Sequence, residues 1–197
     1  MDNTTEETRT TPDGLLTDAI EMFCAAGVLI KCNPDRLSQP IYYLLGHSIE
    51  VALKAILLQS GKTLEVLKGK YGHDLCKAAR SVIGGRSNPV SKIVKNNLAI
   101  IECLNPYYIA KEFEYRVTGF KRLPRQEGMM SFLNDLLPAI NELLPPRRFE
   151  RIVKKIFGDD RSFLTPRPPR LRGGDQRRQA GAASVAPRPR DSERGSR

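Results

Sequence analysis

The chain has 197 residues, 40% of them hydrophobic, which is enough for one sizeable core and favours a single domain with appendages. It holds no run of about 18 uncharged apolar residues, and its acidic, Thr-rich start "MDNTTEETRT" lacks a secretory layout, so the expectation is a cytoplasmic protein with no membrane span. The net charge of +10 is uneven: residues 1–160 hold 22 Lys and Arg against 19 Asp and Glu (+3), whereas residues 161–197 hold ten Arg against three acids (+7).

Residues 1–12 are too poor in apolar groups to offset the entropy of ordering them, and read as a flexible arm. From Leu15 to Ile30 apolar residues recur near helical spacing, with Asp13 at the start and Asn33-Pro34 at the end, which predicts a first helix over about 14–32. A second follows over about 36–59 and stops at "QSGKT", where Gly61 suits a left-handed helix end. Thr63 can cap a short helix through "LEVLKGK". "YGHD" interrupts it before "LCKAARSVIG" turns helical again, giving a third, broken helix.

Pro89 and the apolar series Val90, Ile93, Val94, Leu98, Ile101 and Leu104 predict a fourth helix up to about 104. "PYYIAKEFEYRVTGFKRLPRQEG" reads as an ordered, partly irregular connection with a helical turn around Ala110 to Glu114. "MMSFLNDLLPAINELL" carries an apolar stripe with a kink expected at Pro138, and "RRFERIVKKIF" forms a last basic amphipathic helix. The consistent fold class is all-α, an up-and-down bundle over residues 13–160. Residues 161–197 contain no Lys, Ile, Tyr or Asn, are rich in Arg, Pro, Gly, Ala and Ser, and read as a disordered tail. Its arginines suit nonspecific phosphate contact or an unconstrained extension.

Cys24, Cys32, Cys76 and Cys103 form no CxxC pair and only two histidines accompany them, so neither a metal site nor a redox motif is indicated, and mostly buried, reduced thiols are expected. No cofactor is implied. Chemistry concentrates instead on the second helix. With Tyr43 at zero and 100° per residue, His47 falls near 40°, Glu50 near 340° and Lys54 near 20°, one narrow arc on an otherwise apolar rod. So apolar a helix is normally central in a bundle, where an unpaired ion costs several kcal/mol. The stripe is therefore either a satisfied Glu50–Lys54 pair flanked by Tyr43 and a hydrogen-bonded His47 on the one exposed face of the helix, or the wall of a wet, ligand-binding groove. A second constellation is "KGKYGHDL", residues 68–75: Gly72 permits a sharp break, Asp74 can cap the helix that follows, and His73 is held at the junction. It is either a capping motif with a packed His or a partner for His47, Glu50 and Lys54, with Lys68 and Lys70 adding positive potential.

The two motifs together, Gly46, His47, Glu50 and Lys54 followed by Tyr71 to Leu75, resemble bacterial HEPN-like (higher eukaryotes and prokaryotes nucleotide-binding) helical domains. "YYIAKEFEYRVTGFKRLP" is similar to a third family segment, with Tyr108, Tyr115 and Arg116 as matches, and the likeness spans about residues 36–124. The resemblance implies a bundle of about five helices, frequent homodimers, and RNA binding, RNA cleavage, or pairing with an antitoxin or nucleotidyltransferase-like partner in defence systems. Ribonucleolytic members carry an Arg followed four to six residues later by a His. This chain departs from that pattern, having no histidine after His73 and placing Arg36 too far before His47. The resulting expectation is RNA or nucleotide-phosphate binding through Tyr43, His47, Glu50, Lys54, Lys68, Lys70, Tyr71, His73, Asp74 and Arg116. The alternatives are a dimerisation or protein-interaction module without ligand, and a metal-independent ribonuclease in which His47, His73, Lys54 and Arg116 supply the base for the 2'-hydroxyl, the acid for the leaving oxygen and the cation for the phosphorane.

Overall fold

A computed structural model describes residues 9–115, 117–144 and 149–160. The N-terminal arm up to Thr8, Arg116 and the Arg/Pro-rich tail, all singled out above, lie outside the described residues, as do residues 145–148, which include the two arginines that open "RRFERIVKKIF".

Helix α1 (Pro12–Cys32) opens on Thr11, whose side chain accepts from the Gly14 N–H, with Pro12 in the first turn where its missing donor costs nothing. It buries Leu16, Ala19, Ile20, Phe23, Cys24, Ala26 and Gly27, a face at three- and four-residue spacing. Against it lies α2 (Ser38–Gln59), with Ser48, Ala52 and Ala55 fully buried. These small side chains let the two rods approach closely, and the Ser48 hydroxyl donates to the Ala19 carbonyl at 2.8 Å, so burying it leaves no donor unpaired. Helix α2 packs on α1, α4, α6 and α7, as its all-round apolarity predicts. It is the one described helix long and apolar enough to cross a membrane, and 72% of its most apolar window is buried inside the bundle.

The broken third helix resolves into α3 (Leu64–Val66), capped by Thr63, a π turn over Leu67–Tyr71, and α4 (Leu75–Ile83). The Gly72 N–H closes the π turn on the Leu67 carbonyl at 3.1 Å, and Gly72 then takes φ of 50°, a conformation that suits glycine. Two helices replace the single one expected to end near 104. Helix α5 (Pro89–Asn96) begins on an Asn88–Ser91 capping box, and α6 (Leu98–Ile109) continues past 104 through Pro106. The break falls at Asn97, whose side-chain amide donates to the Ile93 carbonyl at 2.9 Å beside a backbone N–H shared between Ile93 and Val94 at 3.2 Å. A turn over 110–115 and an irregular stretch lead to α7 (Gln126–Leu143), which runs through Pro138, and α8 (Phe149–Phe157) lies on α1 and α7.

The architecture is all-helical, with eight α-helices among the described residues and no strand. Cys24 and Cys76 are buried, Cys103 is half-buried and Cys32 is exposed; burial and the neighbouring Glu21 push the Cys24 thiol up to about 12, leaving it inert as a nucleophile.

Candidate functional site

Both sequence constellations converge on one carboxylate. Glu50 is 3% exposed, and three elements supply its partners. From α2 itself, the Lys54 ammonium donates to Oε1 at 2.5 Å, the favourable order for a pair four residues apart. From α6, the Tyr108 hydroxyl donates to Oε2 at 2.5 Å. From the junction after the π turn, His73 Nδ1 reaches the same Oε2 at 3.2 Å. His47 Nδ1 sits 2.9 Å from the Tyr108 oxygen and 3.3 Å from Oε2.

The proton bookkeeping follows from an ionised Glu50, which can only accept. Tyr108 spends its single proton on the carboxylate, so its oxygen accepts from His47. His73 must likewise carry its proton on Nδ1 to donate. The neutral form of each ring therefore keeps its lone pair on Nε2, on the side away from Glu50. His47 is 27% exposed and His73 48% exposed, and because both lean on one oxygen their imidazoles lie within about two hydrogen-bond lengths of each other.

Burial alone would raise the Glu50 pKa, but hydrogen bonds from His47, Lys54 and Tyr108, with the Lys54 charge, hold it well below the usual carboxylate range. Tyr108 shifts the opposite way: burial, then the charge and hydrogen bond of Glu50, push its phenol far above the ordinary value. A depressed carboxylate contributes stability that is complete above its ordinary pKa of 4.5 and is lost as pH falls toward the folded value. Urea midpoints taken from pH 7 down to pH 2 are therefore expected to show the gap between wild type and Glu50→Gln closing below about pH 4.5. A gap that stays constant across that range would show that Glu50 is not held ionised by the fold.

The surrounding residues fix this geometry. Tyr43 stacks on His47 with ring centroids 5.8 Å apart and planes at 6°. Tyr108 meets the His73 ring edge-on at 6.2 Å. Gly46 makes room for Tyr108: a Cβ there would stand 2.8 Å from its ring. Asp74 caps α4 by accepting from the Lys77 N–H at 3.0 Å, which holds its pKa down together with contacts from the Lys77 side chain and Asn105. Asn105 bridges the junction to α6, donating to Asp74 at 3.3 Å and accepting from the Cys76 N–H at 3.3 Å.

The expected residues thus divide by task. His47, Glu50, Lys54 and His73 form the cluster, with Tyr43 stacked on it. Asp74 orients the junction, and Tyr71 is buried with its hydroxyl paired to Ser81 at 2.9 Å, a packing role. Lys68 and Lys70 are exposed on the π turn that leads to His73, Lys70 lying 5.8 Å from the Tyr71 ring centroid. Arg116 lies outside the described residues. Composition and spacing gave no sign of Tyr108 as the donor to Glu50 or of Asn105 as the bridge; Tyr108 entered only through the family resemblance. Among the described residues no group of three or more His, Cys, Asp and Glu is placed to hold a metal ion. Comparison with protein families, curated proteins and solved structures finds no match for this chain.

Proposed function

We propose that the chain is a HEPN-like helical domain that binds RNA or a nucleotide phosphate on the face where α2, the π turn and the end of α6 meet. The observation that carries this reading is the tethering of two partly exposed imidazoles, His47 and His73, through Nδ1 to one buried carboxylate. A purely structural ion pair needs neither ring, since Lys54 already neutralises Glu50. With Nδ1 of each ring turned to Glu50, Nε2 is left for a ligand, and exposed Lys68 and Lys70 lie a few residues before His73 in the chain, so such a face can bind a phosphate by hydrogen bonding and charge. Lys54 acts as the counter-ion of Glu50, which leaves the phosphate contacts to the imidazoles and the two lysines. The all-helical architecture fits the expected class, although eight α-helices stand among the described residues where the resemblance implies about five.

The test is fluorescence anisotropy of a labelled 20-nucleotide RNA over a potassium chloride series. Affinity is expected to fall with salt, and Lys68→Ala and Lys70→Ala each to reduce the slope of log K against log salt by about 0.7. Salt-insensitive binding, or a slope unchanged in the double variant, would overturn the assignment of this face.

A further inference from the structure

Large apolar side chains that remain exposed are concentrated in one stretch of the chain. Of the seven among the described residues, Ile109, Tyr115, Val117 and Phe120 all fall within residues 109–120, with Phe120 96% and Tyr115 68% exposed. The segment is not loose at its base. Tyr42 of α2 donates to the Pro124 carbonyl at 2.7 Å and stacks on Phe113 at 5.8 Å, while Gln39 donates to the Phe113 carbonyl at 3.2 Å. The loop is therefore pinned to the turn of α2 that carries Tyr43, and it leaves α6 directly after Tyr108. Its two ends are tied to the elements that build the Glu50 cluster.

The charges around the exposed rings are sorted as well. Lys121 pairs with Glu112 and lies over the Tyr107 ring at 5.6 Å, and Lys111 pairs with Glu114, whereas Arg122 and Arg125 are exposed. The exposed ring of Phe120 is followed along the chain by Lys121, Arg122 and Arg125. A protein-docking surface needs a contiguous apolar patch. Exposed rings with free arginines close by in the chain instead match a single strand, whose bases stack while its phosphates track the charge.

We infer that Tyr115 and Phe120, between α6 and α7, form a stacking platform for unpaired bases, with Arg122 and Arg125 as the phosphate contacts, so that the ligand is single-stranded rather than duplex RNA. This rests on the RNA-binding reading above. Base faces are hidden within a duplex, so a platform of exposed rings discriminates against it. Gly119, at φ of 133°, gives the backbone the bend that precedes Phe120.

The chain contains no Trp, so Phe120→Trp introduces a single indole reporter in the 197-residue chain. Adding a single-stranded 12-nucleotide RNA is expected to quench that indole and to bind with near wild-type affinity, while the matching duplex does neither. Phe120→Leu, apolar but without a ring face, is expected to weaken single-strand binding about tenfold. Its melting curve should be unchanged, since the side chain packs on nothing. If wild type binds neither probe, this inference falls together with the reading beneath it. If wild type binds the RNA but strand and duplex compete equally, or Phe120→Leu binds like wild type, the platform alone is overturned. Wild-type self-association in sedimentation that Phe120→Leu abolishes, with RNA affinity intact, would likewise overturn it in favour of a contact between copies of the chain.

Discussion

Lys54→Met is expected to cost about 3–5 kcal/mol of folding stability at pH 7, the largest effect of any single substitution considered, because it leaves an ionised carboxylate inside the bundle without its cation. The methionine keeps most of the aliphatic length, so the loss is electrostatic and not a cavity effect. Removing the charge on the other side distinguishes the two: Lys54→Met combined with Glu50→Gln should recover a large part of the stability, since a neutral amide needs no counter-ion. Equilibrium urea unfolding of the two singles and the double supplies the cycle. Simple additivity would mean that Lys54 and Glu50 do not depend on each other, and the buried hub would have to be abandoned.

Gly46→Ala is the second substitution with a large expected effect, although it adds a single methyl group. The new Cβ would stand 2.8 and 2.9 Å from two atoms of the Tyr108 ring and 3.5 Å from Leu104. The ring cannot easily yield, because its hydroxyl is anchored on Glu50. Overpacking of this kind costs about 1–3 kcal/mol, and a displaced Tyr108 would also lose its bond to the carboxylate. In a Tyr108→Leu background the same substitution should cost much less, which thermal unfolding of the four proteins would measure. An equal cost in both backgrounds would place the strain somewhere other than this contact.

These predictions show how differently the parts of the molecule are written into its sequence. The arc shared by His47, Glu50 and Lys54 follows from 100° per residue on one helix, and the Asp74 cap follows from a short-range pattern, so both are legible without coordinates. Burial of Glu50 was less so, because the side chain that covers it, Tyr108, comes from 58 residues away. No local periodicity records which residue of α6 faces α2. Helix breaks were partly legible. The one at Asn97 escaped because Val94, Leu98 and Ile101 keep an apolar rhythm across it, while an amide returning to the Ile93 carbonyl is a feature of one side chain. The π turn escaped for a similar reason: "LKGKY" has helical composition, and only the Gly72-to-Leu67 bond reveals the wider turn.

Oε2 of Glu50 is shared among Tyr108, His73 and the flank of His47. Contacts so crowded on one atom cannot vary independently. An occupant that drew one imidazole outward would loosen its hold on the oxygen and let the remaining donors tighten, and the phenol among them belongs to the helix that begins the aromatic loop. Any displacement of one imidazole would thereby be felt by the other groups on the same atom, at the place where the bundle is most densely bonded.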